Sequence, residues 1–425
     1  MKKHLLALSA AAVLLAPQTV GAEGFSINEW SAEGFGMGGA RMFAENDAAN
    51  MAYNPASLTK IKGEVAKISA TYISPHGKYK TEGGMSVPGV NDSGHNRIHP
   101  AWAPGSYYVK QLNDKEWLGF GAYARFGNSC QFKQGSLPGT NNTSSKVNGM
   151  SIGLNYAKKL DSKWSASLGA EVNYAWLQID RTMPTHMPGS VQVEGESYAL
   201  GWNAAVNYEF DDKNEMGIVY RSAVNHSMEA NVRDRGYMAA SGISGVTDAY
   251  GCVTLPESVM IGYGHKFNDK TRVELNGTWT RWSRFDALNM TYTGANLAYK
   301  GFSIPSYYHE DSKNWKDGWR YAIGVEHKLS DKYSLLGGIA YDESGIPDYE
   351  DTEASMGADF MVPTGTRTTF TIGGQYHDDK QTVALSIGYM KVGDLSIEGN
   401  APFYDRAKMY DSYTKLFSIS YQYNF

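Results

Sequence analysis

The sequence has few cysteines, no excess of positive charge and no long apolar run beyond its N-terminus. Two of 425 residues are cysteine, and the 39 lysines and arginines are outnumbered by 44 aspartates and glutamates. The acidic balance disfavours nucleic acid as a partner, because phosphate binding needs clustered cations. A membrane helix needs about eighteen consecutive apolar residues, so a bundle of transmembrane helices is excluded.

Residues 1–22 have the pattern of a secretory signal peptide. A basic start precedes an apolar stretch at 5–16, and the small residues at 20–22 suit a cleavage site. We expect the mature chain to begin at Glu23, which would change the formal net charge from -5 to -7 because two lysines are lost. An exported chain without membrane helices is compatible with a bacterial outer membrane.

Residues 164–210 contain two runs in which apolar and polar side chains alternate strictly, as in strands with one apolar face. The apolar faces are Trp164, Ala166, Leu168, Ala170, Val172, Tyr174 and Trp176, then Tyr198, Leu200, Trp202, Ala204, Val206, Tyr208 and Phe210. Each run spans roughly 40 Å, or about 30 Å of height when tilted, between aromatic ends. Soluble strands are about half as long. The pattern therefore indicates a transmembrane β-barrel.

The same alternation recurs along the chain and predicts an all-β, antiparallel transmembrane barrel of about fourteen strands over residues 63–425. Short polar turns alternate with long segments, and in such barrels short turns lie in the periplasm and long loops outside. The turns are expected near residues 113–115, 161–162, 211–213, 268–270, 331–332 and 378–380. The long segments are expected near residues 75–97, 128–145, 180–195, 225–255, 286–315, 345–366 and 392–412.

Residues 23–62 do not alternate and are rich in glycine, alanine and apolar side chains. They could form a periplasmic tail or a plug inside the barrel, and their apolar content favours the plug. Within them, Asn54-Pro55-Ala56 opens a short helix, because Asn54 is a good N-cap and proline fits the first helical turn. We predict that this tripeptide helps to hold or gate the plug.

Cys130 and Cys252 are both predicted to lie outside the membrane. In an oxidising compartment they could form a disulfide between two loops, or remain two unpaired thiols. No histidine and cysteine cluster has metal-ligand spacing. We therefore expect no metal and no cofactor.

Several short motifs resemble the long-chain fatty acid transporters of the FadL type. They begin with Gly24-Phe25, Asn28-Glu29, Asp47-Ala48 and Asn54-Pro55-Ala56. They continue with Leu255-Pro256-Glu257, Trp279-Thr280-Arg281-Trp282-Ser283, Trp315-Lys316-Asp317-Gly318-Trp319-Arg320 and Tyr341-Asp342-Glu343-Ser344-Gly345-Ile346-Pro347. The resemblance covers nearly the whole mature chain, but the outer loops match poorly.

The resemblance implies a fourteen-stranded barrel, a groove among outer loops, and a kinked third strand through which ligand leaves sideways. By position the kink would fall at Phe126-Gly127-Asn128, which could otherwise be an ordinary strand end. Arg181, Lys316 and Arg320 are the candidate partners of a ligand carboxylate, since guanidinium and ammonium groups bind carboxylates. Each could instead be solvated, or paired with an acidic neighbour or with lipopolysaccharide phosphate.

The last strand ends at Phe425, and its outward aromatics are similar to the C-terminal signature that barrel-insertion machinery recognises. We expect the protein to be a monomer that contacts outer-membrane lipid and lipopolysaccharide. The predicted function is passive uptake of long-chain fatty acids or similar hydrophobic compounds. An aromatic hydrocarbon transporter of the same family and a general aqueous porin are the alternatives. An enzyme is not expected, because the ten histidines show no motif spacing.

Overall fold

The computed structural model describes residues 24–97, 100–185, 187–348 and 357–425, so the expected signal peptide at 1–22 lies outside it. No described helix is both long and apolar enough to cross a membrane. The helices are α1 (Ala32–Gly36), α2 (Asn50–Tyr53) and 3₁₀ helices at Pro55–Lys60, Pro138–Thr140, Met238–Ser241 and Trp282–Arg284.

Most of the rest of the described chain is β-strand. The first strands are β1 (Glu64–Glu82), β2 (Ser93–His95), β3 (Ala101–Asn113), β4 (Glu116–Gln131), β5 (Ser144–Lys159), β6 (Trp164–Thr182), β7 (Ser190–Glu209), β8 (Asn214–Arg221), β9 (Val224–Asp234), β10 (Ile243–Ser244), β11 (Asp248–Leu255) and β12 (Ser258–Lys266). Next come β13 (Thr271–Thr280), β14 (Ala287–Thr293), β15 (Ala298–Tyr299), β16 (Phe302–Ser303), β17 (Tyr307–Ser312), β18 (Gly318–Lys328), β19 (Tyr333–Asp342), β20 (Arg367–His377), β21 (Gln381–Val392), β22 (Leu395–Asn400) and β23 (Tyr404–Asn424).

These strands build the predicted closed, antiparallel, 14-strand barrel. Six wall positions consist of two collinear strands each, namely β3 with β2, β8 with β9, β12 with β11, β13 with β14, β18 with β17 and β21 with β22. β23 pairs with β21 on one side and with β1 on the other, from Val65↔Asn424 onward. This last pairing closes the cylinder and leaves no exposed sheet edge there.

The two alternating runs form one hairpin of the wall, β6 with β7. Trp164 pairs with Tyr208 at one end and Tyr174 with Tyr198 at the other, with ring centroids 4.6 Å and 5.0 Å apart. Between these aromatic pairs the outward side chains are apolar and exposed, including Leu200 at 79 %. This band is the lipid-facing surface, bounded by an aromatic girdle at each end.

Residues 225–255 and 286–315, predicted to be long loops, instead carry strands β9 to β11 and β14 to β17. In β9 the outward residues Asn225 and Ser227 are exposed, and Val224 faces inward. Above the membrane the outer face of the wall meets water, so the apolar side chains move to the inner face. The prediction relied on apolar outward faces and therefore ended the strands too early.

Candidate functional site

Residues 24–61, here called the lumen segment, are almost wholly buried inside the barrel. Ala32 donates its N–H to Oγ of Ser420 on β23 at 2.7 Å. On the opposite side of the wall, Nη2 of Arg221 on β8 donates to the carbonyl of Ala52 at 2.6 Å. The segment therefore spans the lumen from wall to wall.

Ion pairs hold the periplasmic part of the lumen segment. Asp47 accepts from Nζ of Lys67 on β1 at 2.6 Å and from Nε of Arg41 at 3.1 Å. Arg41 also pairs with Glu326 on β18 at 3.3 Å. Below these pairs a cavity of about 690 Å³ is lined mainly by charged and polar side chains. Ligands that are mostly hydrocarbon gain little there, because burying them requires apolar surroundings.

The Asn54-Pro55-Ala56 tripeptide lies in the lumen segment against β7. Oδ1 of Asn54 accepts from the N–H of Ala56 at 3.1 Å, so the predicted cap is present, although the helix that follows is 3₁₀. Nδ2 of Asn54 donates to Oδ1 of Asn207 at 2.6 Å, and Nδ2 of Asn207 donates to Oγ of Ser57 at 2.9 Å. The tripeptide thus joins the lumen segment to the wall.

The wall has a gap between the upper parts of β3 and β4, called the wall gap below. β3 pairs with β4 only up to Gly105↔Tyr123, and Ala101–Pro104 pair with β1 alone. A register shift lies between Ala124 and Phe126 of β4, just before the residues where the kink was expected. Beyond this shift β4 pairs with β5 on one side only, which leaves an edge without a β3 partner.

The lumen segment occupies that edge of β4 as a short added strand. Ser26 forms a β-bridge with Phe126. Ile27 donates its N–H to the carbonyl of Arg125 at 2.9 Å, and Gly127 donates to the carbonyl of Phe25 at 2.8 Å. Main-chain bonds of this kind are how a peptide completes a sheet edge.

Gly127 permits this close approach. A Cβ at residue 127 would lie 2.8 Å from Cδ1 of Ile27, closer than carbon atoms pack. We predicted that the glycine suits a strand irregularity, and the register shift lies just before it. Close packing of the lumen segment is a second reason for a glycine here. Next to it, Nδ2 of Asn128 donates to the carbonyl of Met361 at 2.8 Å and ties an outer loop to β4.

A buried charge triad lies beside the wall gap and was missed by the sequence reasoning. Glu171 of β6 pairs with Arg221 at 2.6 Å and with Arg125 at 3.3 Å, and accepts from the hydroxyl of Tyr123 at 3.1 Å. Glu171 stands on the polar face of the alternating run, which is the signal that could have placed it inside the lumen.

Above the lumen segment, five rings form what we call the aromatic cage: Phe25, Phe126, Trp282, Phe285 and Trp315. The ring of Phe25 lies 4.9 Å from Trp282, 5.3 Å from Phe285, 5.8 Å from Trp315 and 5.9 Å from Phe126. All four pairs have edge-to-face geometry, which favours aromatic contacts. The end of the lumen segment is thus anchored through one phenylalanine.

The three predicted carboxylate partners are not brought together. Arg320 is buried, donates to the carbonyl of Gly38 at 2.6 Å and pairs with Asp342 at 2.9 Å, so it holds the lumen segment. Lys316 is exposed. Only Arg181 lies at the inner face of the outer loops, with Nη2 3.8 Å from Asp311 and from Sδ of Met361.

A cation missed by the sequence reasoning, Lys313, lies beside Arg181. It is 3 % exposed and pairs with Asp311 at 2.9 Å and with Asp359 at 2.6 Å. Burial alone would lower the pKa of Lys313, but Asp359 and Asp311 raise it above its ordinary value. We call Arg181, Asp311, Lys313 and Asp359 the mouth cluster. It lies above the outer aromatic girdle, beyond the membrane-spanning strands.

Apolar side chains connect the mouth cluster to the aromatic cage. We call them the apolar passage: Leu177, Ile179, Val253, Leu288, Met361 and Val362. Val253 packs against this group and against the cluster that contains the cage. A cavity beside Ile27 and Phe126 measures only about 30 Å³, and one beside Val362 about 60 Å³. Ligand pockets measure about 300–1,000 Å³, so a ligand can enter only if side chains or the lumen segment move.

The two cysteines do not form the disulfide that was one of two predicted alternatives. Both are free; Cys130 is buried inside the upper part of β4, whereas Cys252 is exposed on β11. Cys252 contacts Oγ of Ser227 at 3.7 Å on the outer face of the wall. The prediction placed both residues in loops, but both lie on strands and face opposite sides of the wall.

Comparisons with known proteins agree with this architecture. The long-chain fatty acid transport protein of Escherichia coli (strain K12) is 25 % identical over 468 residues, which covers 99 % of this chain and 98 % of that protein. Outer membrane protein P1 of Haemophilus influenzae is 25 % identical and covers 85 % of this chain and 87 % of its own.

Two solved structures share the fold. A Pseudomonas aeruginosa FadL homologue has a TM-score of 0.77 at 18 % identity, covering 95 % of this chain and 100 % of its own. The P. putida toluene transporter TodX has a TM-score of 0.67 at 16 % identity, covering 95 % and 99 %. The family model described as outer membrane protein transport protein (OMPP1/FadL/TodX) matches residues 12–425. The chain belongs to this family of outer-membrane transport proteins.

Proposed function

We propose that this protein takes up long-chain fatty acids or similar hydrophobic compounds passively, and that the lumen segment is a plug whose outer end closes a lateral exit. The observation that carries the proposal is the β-bridge of Ser26 to Phe126 on the edge of β4 that β3 leaves unpaired. Relatives described as fatty acid and toluene transporters support the ligand class.

In this proposal the ligand moves from the mouth cluster through the apolar passage to the aromatic cage. Release of Phe25, Ser26 and Ile27 from β4 then opens the wall gap beside them. Burial of a hydrocarbon chain in lipid is favourable by about 0.8 kcal/mol per CH₂. The charged cavity at the periplasmic end gives no such gain, so the sideways route into the bilayer is favoured over the straight one.

The mouth cluster is the proposed site for a ligand carboxylate. Arg181 is only partly paired, since its nearest carboxylate oxygen is 3.8 Å away. Lys313 lies on the other side of Asp311 and pairs with it at 2.9 Å. A fatty acid carboxylate can bind Arg181 in two-point geometry while its chain lies against Met361. Lys316 is exposed and Arg320 is engaged with the lumen segment, so neither is retained as a ligand partner.

Aromatic hydrocarbons are the second candidate ligand, because the cage offers several ring edges around Phe25. Such a ligand would use the same passage and gap without the mouth cluster. A general aqueous porin is disfavoured, because the lumen segment spans the lumen from wall to wall. Uptake assays of this protein with a long-chain fatty acid and with an aromatic hydrocarbon distinguish the two transporter functions.

The direct test is to lock the bridge covalently. The pair Ser26→Cys and Phe126→Cys, in a background with Cys130 and Cys252 replaced by serine, should form a disulfide across the bridged positions. We expect oleate uptake to stop when the pair is oxidised and to return after reduction. The matched control is Ser57→Cys with Asn207→Cys, which locks a part of the lumen segment that need not move. Uptake that continues through the oxidised bridge pair would contradict the proposal.

A further inference from the structure

His226 is a buried polar side chain without a polar partner. It lies on β9, is 1 % exposed, and neither Nδ1 nor Nε2 has a hydrogen-bond partner among the residues that the structure describes. Buried polar groups are hydrogen-bonded in the great majority of cases, because an unpaired one loses its bonds to water. An unpaired imidazole inside a transporter therefore calls for an explanation.

The imidazole points toward the ligand route rather than into the wall. β9 alternates between inward Val224, His226 and Met228 and outward exposed residues. His226 is paired across the sheet with Val253, which belongs to the apolar passage and also packs against the cluster containing the aromatic cage. Side chains of paired residues lie on the same face of a sheet, so the ring stands where the passage meets the cage.

A second unpaired group lies in the cage itself. Nε1 of Trp282 is buried and has no hydrogen-bond acceptor among the described residues, and the Trp282 side chain is 0 % exposed. The other cage tryptophan, Trp315, donates its indole N–H to the carbonyl of Gly357 at 3.3 Å. Buried tryptophans usually find such a partner. The lack of one is therefore specific to Trp282.

We propose that His226 and the indole N–H of Trp282 are hydrogen-bonding sites for the carboxyl head of the ligand as it moves from the mouth cluster into the cage. This inference deepens the proposed function and rests on it. A neutral imidazole can donate one bond and accept another, so it can pair with a carboxylate or with a carboxylic acid. The indole can donate one bond. A hydrocarbon can use neither group.

As a consequence, the protein should select monocarboxylic acids over hydrocarbons of the same length. Both ligand types fill the same apolar passage, so chain contacts do not separate them. A site built to bond a polar group discriminates strongly against an analogue that lacks it, because its own groups then stay unpaired. The ligand class that fits is therefore a long-chain monocarboxylate, rather than an alkane or an alkylbenzene.

The test compares palmitic acid with hexadecane, both radiolabelled and supplied from cyclodextrin, in proteoliposomes containing the full-length mature chain. For His226→Leu we expect palmitate uptake to fall about tenfold, the size of one lost hydrogen bond to a charged group. Hexadecane uptake should remain within about twofold of that of the unchanged protein, since no polar bond is involved. Trp282→Phe keeps an aromatic ring and removes the N–H. It should also lower palmitate uptake selectively, but by less than His226→Leu does.

Two variants control for packing. Met228→Leu changes the next inward residue of β9 and should leave the ratio of palmitate to hexadecane uptake unchanged. His226→Gln keeps a donor and an acceptor and should restore most of the palmitate uptake. Heat-dependent gel migration reports whether each variant forms the barrel.

The outcomes separate the inference from the proposed function. Equal losses of both substrates in His226→Leu, or no loss of either, overturn the role of His226 while leaving uptake itself supported. Failure of the unchanged protein to transport palmitate overturns the proposed function, and with it this inference. A selective loss of palmitate that glutamine rescues supports both.

Discussion

The two halves of the lumen are held in different ways. In the periplasmic half, the lumen segment is fixed by buried ion pairs such as Lys67 with Asp47 at 2.6 Å. In the outer half it is fixed by the edge-to-face contacts of Phe25 and by the main-chain bonds of Phe25 and Ile27 to β4. Buried ion pairs are costly to break singly, whereas apolar contacts can be replaced by a hydrophobic ligand. This difference suits a lumen segment with two parts. We call the part around Arg41 and Asp47 the fixed base, and residues 25–27 the movable end.

The largest effect is expected from breaking the fixed base. Lys67→Met leaves Asp47 buried with one fewer cationic partner, and the free energy of unfolding should fall by about 3–5 kcal/mol. The measurement is denaturant unfolding followed by tryptophan fluorescence. Lys78→Met is the control, because Lys78 pairs with Asp411 at 2.9 Å on the surface and its side chain is 43 % exposed. A surface pair contributes about 0–1 kcal/mol, so equal effects of the two variants would contradict the comparison.

The next effect is expected at the movable end. Phe25→Ala removes the ring that contacts four cage residues, and its local cost should be about 3 kcal/mol. Because the end is held separately from the base, the change should raise hydrogen exchange at the amides of Ile27 and Gly127 by about a hundredfold. Exchange at Ala32, which bonds to Ser420, should change little. A uniform rise across the lumen segment would show that base and end move as one unit.

A third variant distinguishes between two structural roles of Gly127. If the glycine only allows a strand irregularity, valine should straighten the wall and slow ligand delivery. The structure predicts instead that Gly127→Val collides with Ile27 and weakens docking of the movable end by about 1–3 kcal/mol. Adding Ile27→Ala removes the colliding Cδ1 and should restore docking, as measured by amide exchange of residue 127. An unrepaired double variant would favour the irregularity.

At the mouth, a smaller effect should distinguish two cations. Arg181→Ala should weaken oleate binding by about tenfold, the size of one charge-assisted hydrogen bond. Lys316→Ala should change binding by less than about twofold, since an exposed side chain away from the ligand contributes little. Competition with radiolabelled oleate measures both. A stronger effect of Lys316 would move the carboxylate site from Arg181 to another of the three predicted cations.

In the mouth cluster, the charges of Asp311 and Lys313 should not change between about pH 5 and about pH 9. Burial raises the pKa of Asp311, but Lys313 and Arg181 lower it to below its ordinary 3.8, so its stabilising effect is lost only in stronger acid. The pKa of Lys313 lies above its ordinary 10.5, so its effect is lost only in stronger alkali. Burial and Arg181 lower the pKa of His309 on β17 to below its ordinary 6.5, and the oleate carboxyl also titrates in acid. Oleate affinity should therefore be flat from about pH 7 to about pH 9. A midpoint inside this narrower interval would mean that another group binds the carboxylate.

Sequence reasoning recovered the parts of the molecule that depend on local patterns. The two strands between Trp164 and Phe210 were predicted from alternation alone. Turns such as the one at Asp161 lie where aspartate can bond the backbone two and three residues on. These features depend on residues that are close in sequence, so a single sequence is enough to predict them.

The rest depends on contacts between distant residues. Lys313 and Asp359 pair across a long stretch of chain, and no local pattern marks either of them. The edge of β4 is completed by Ser26, one hundred positions earlier in the chain. Strand β9 was missed because its apolar face turns inward above the membrane. Such features follow from the closed barrel and become visible only once it is assembled.

The most direct test of the central claim asks where a ligand crosses the wall. A palmitic acid with a diazirine near its methyl end would be added to the full protein in membranes and photoactivated during uptake. We predict label on both sides of the wall gap, on residues 101–104 of β3 and 124–128 of β4, and none on the paired strands β12 and β13 at the same height. Label confined to the periplasmic cavity, with none at the gap, would contradict lateral exit.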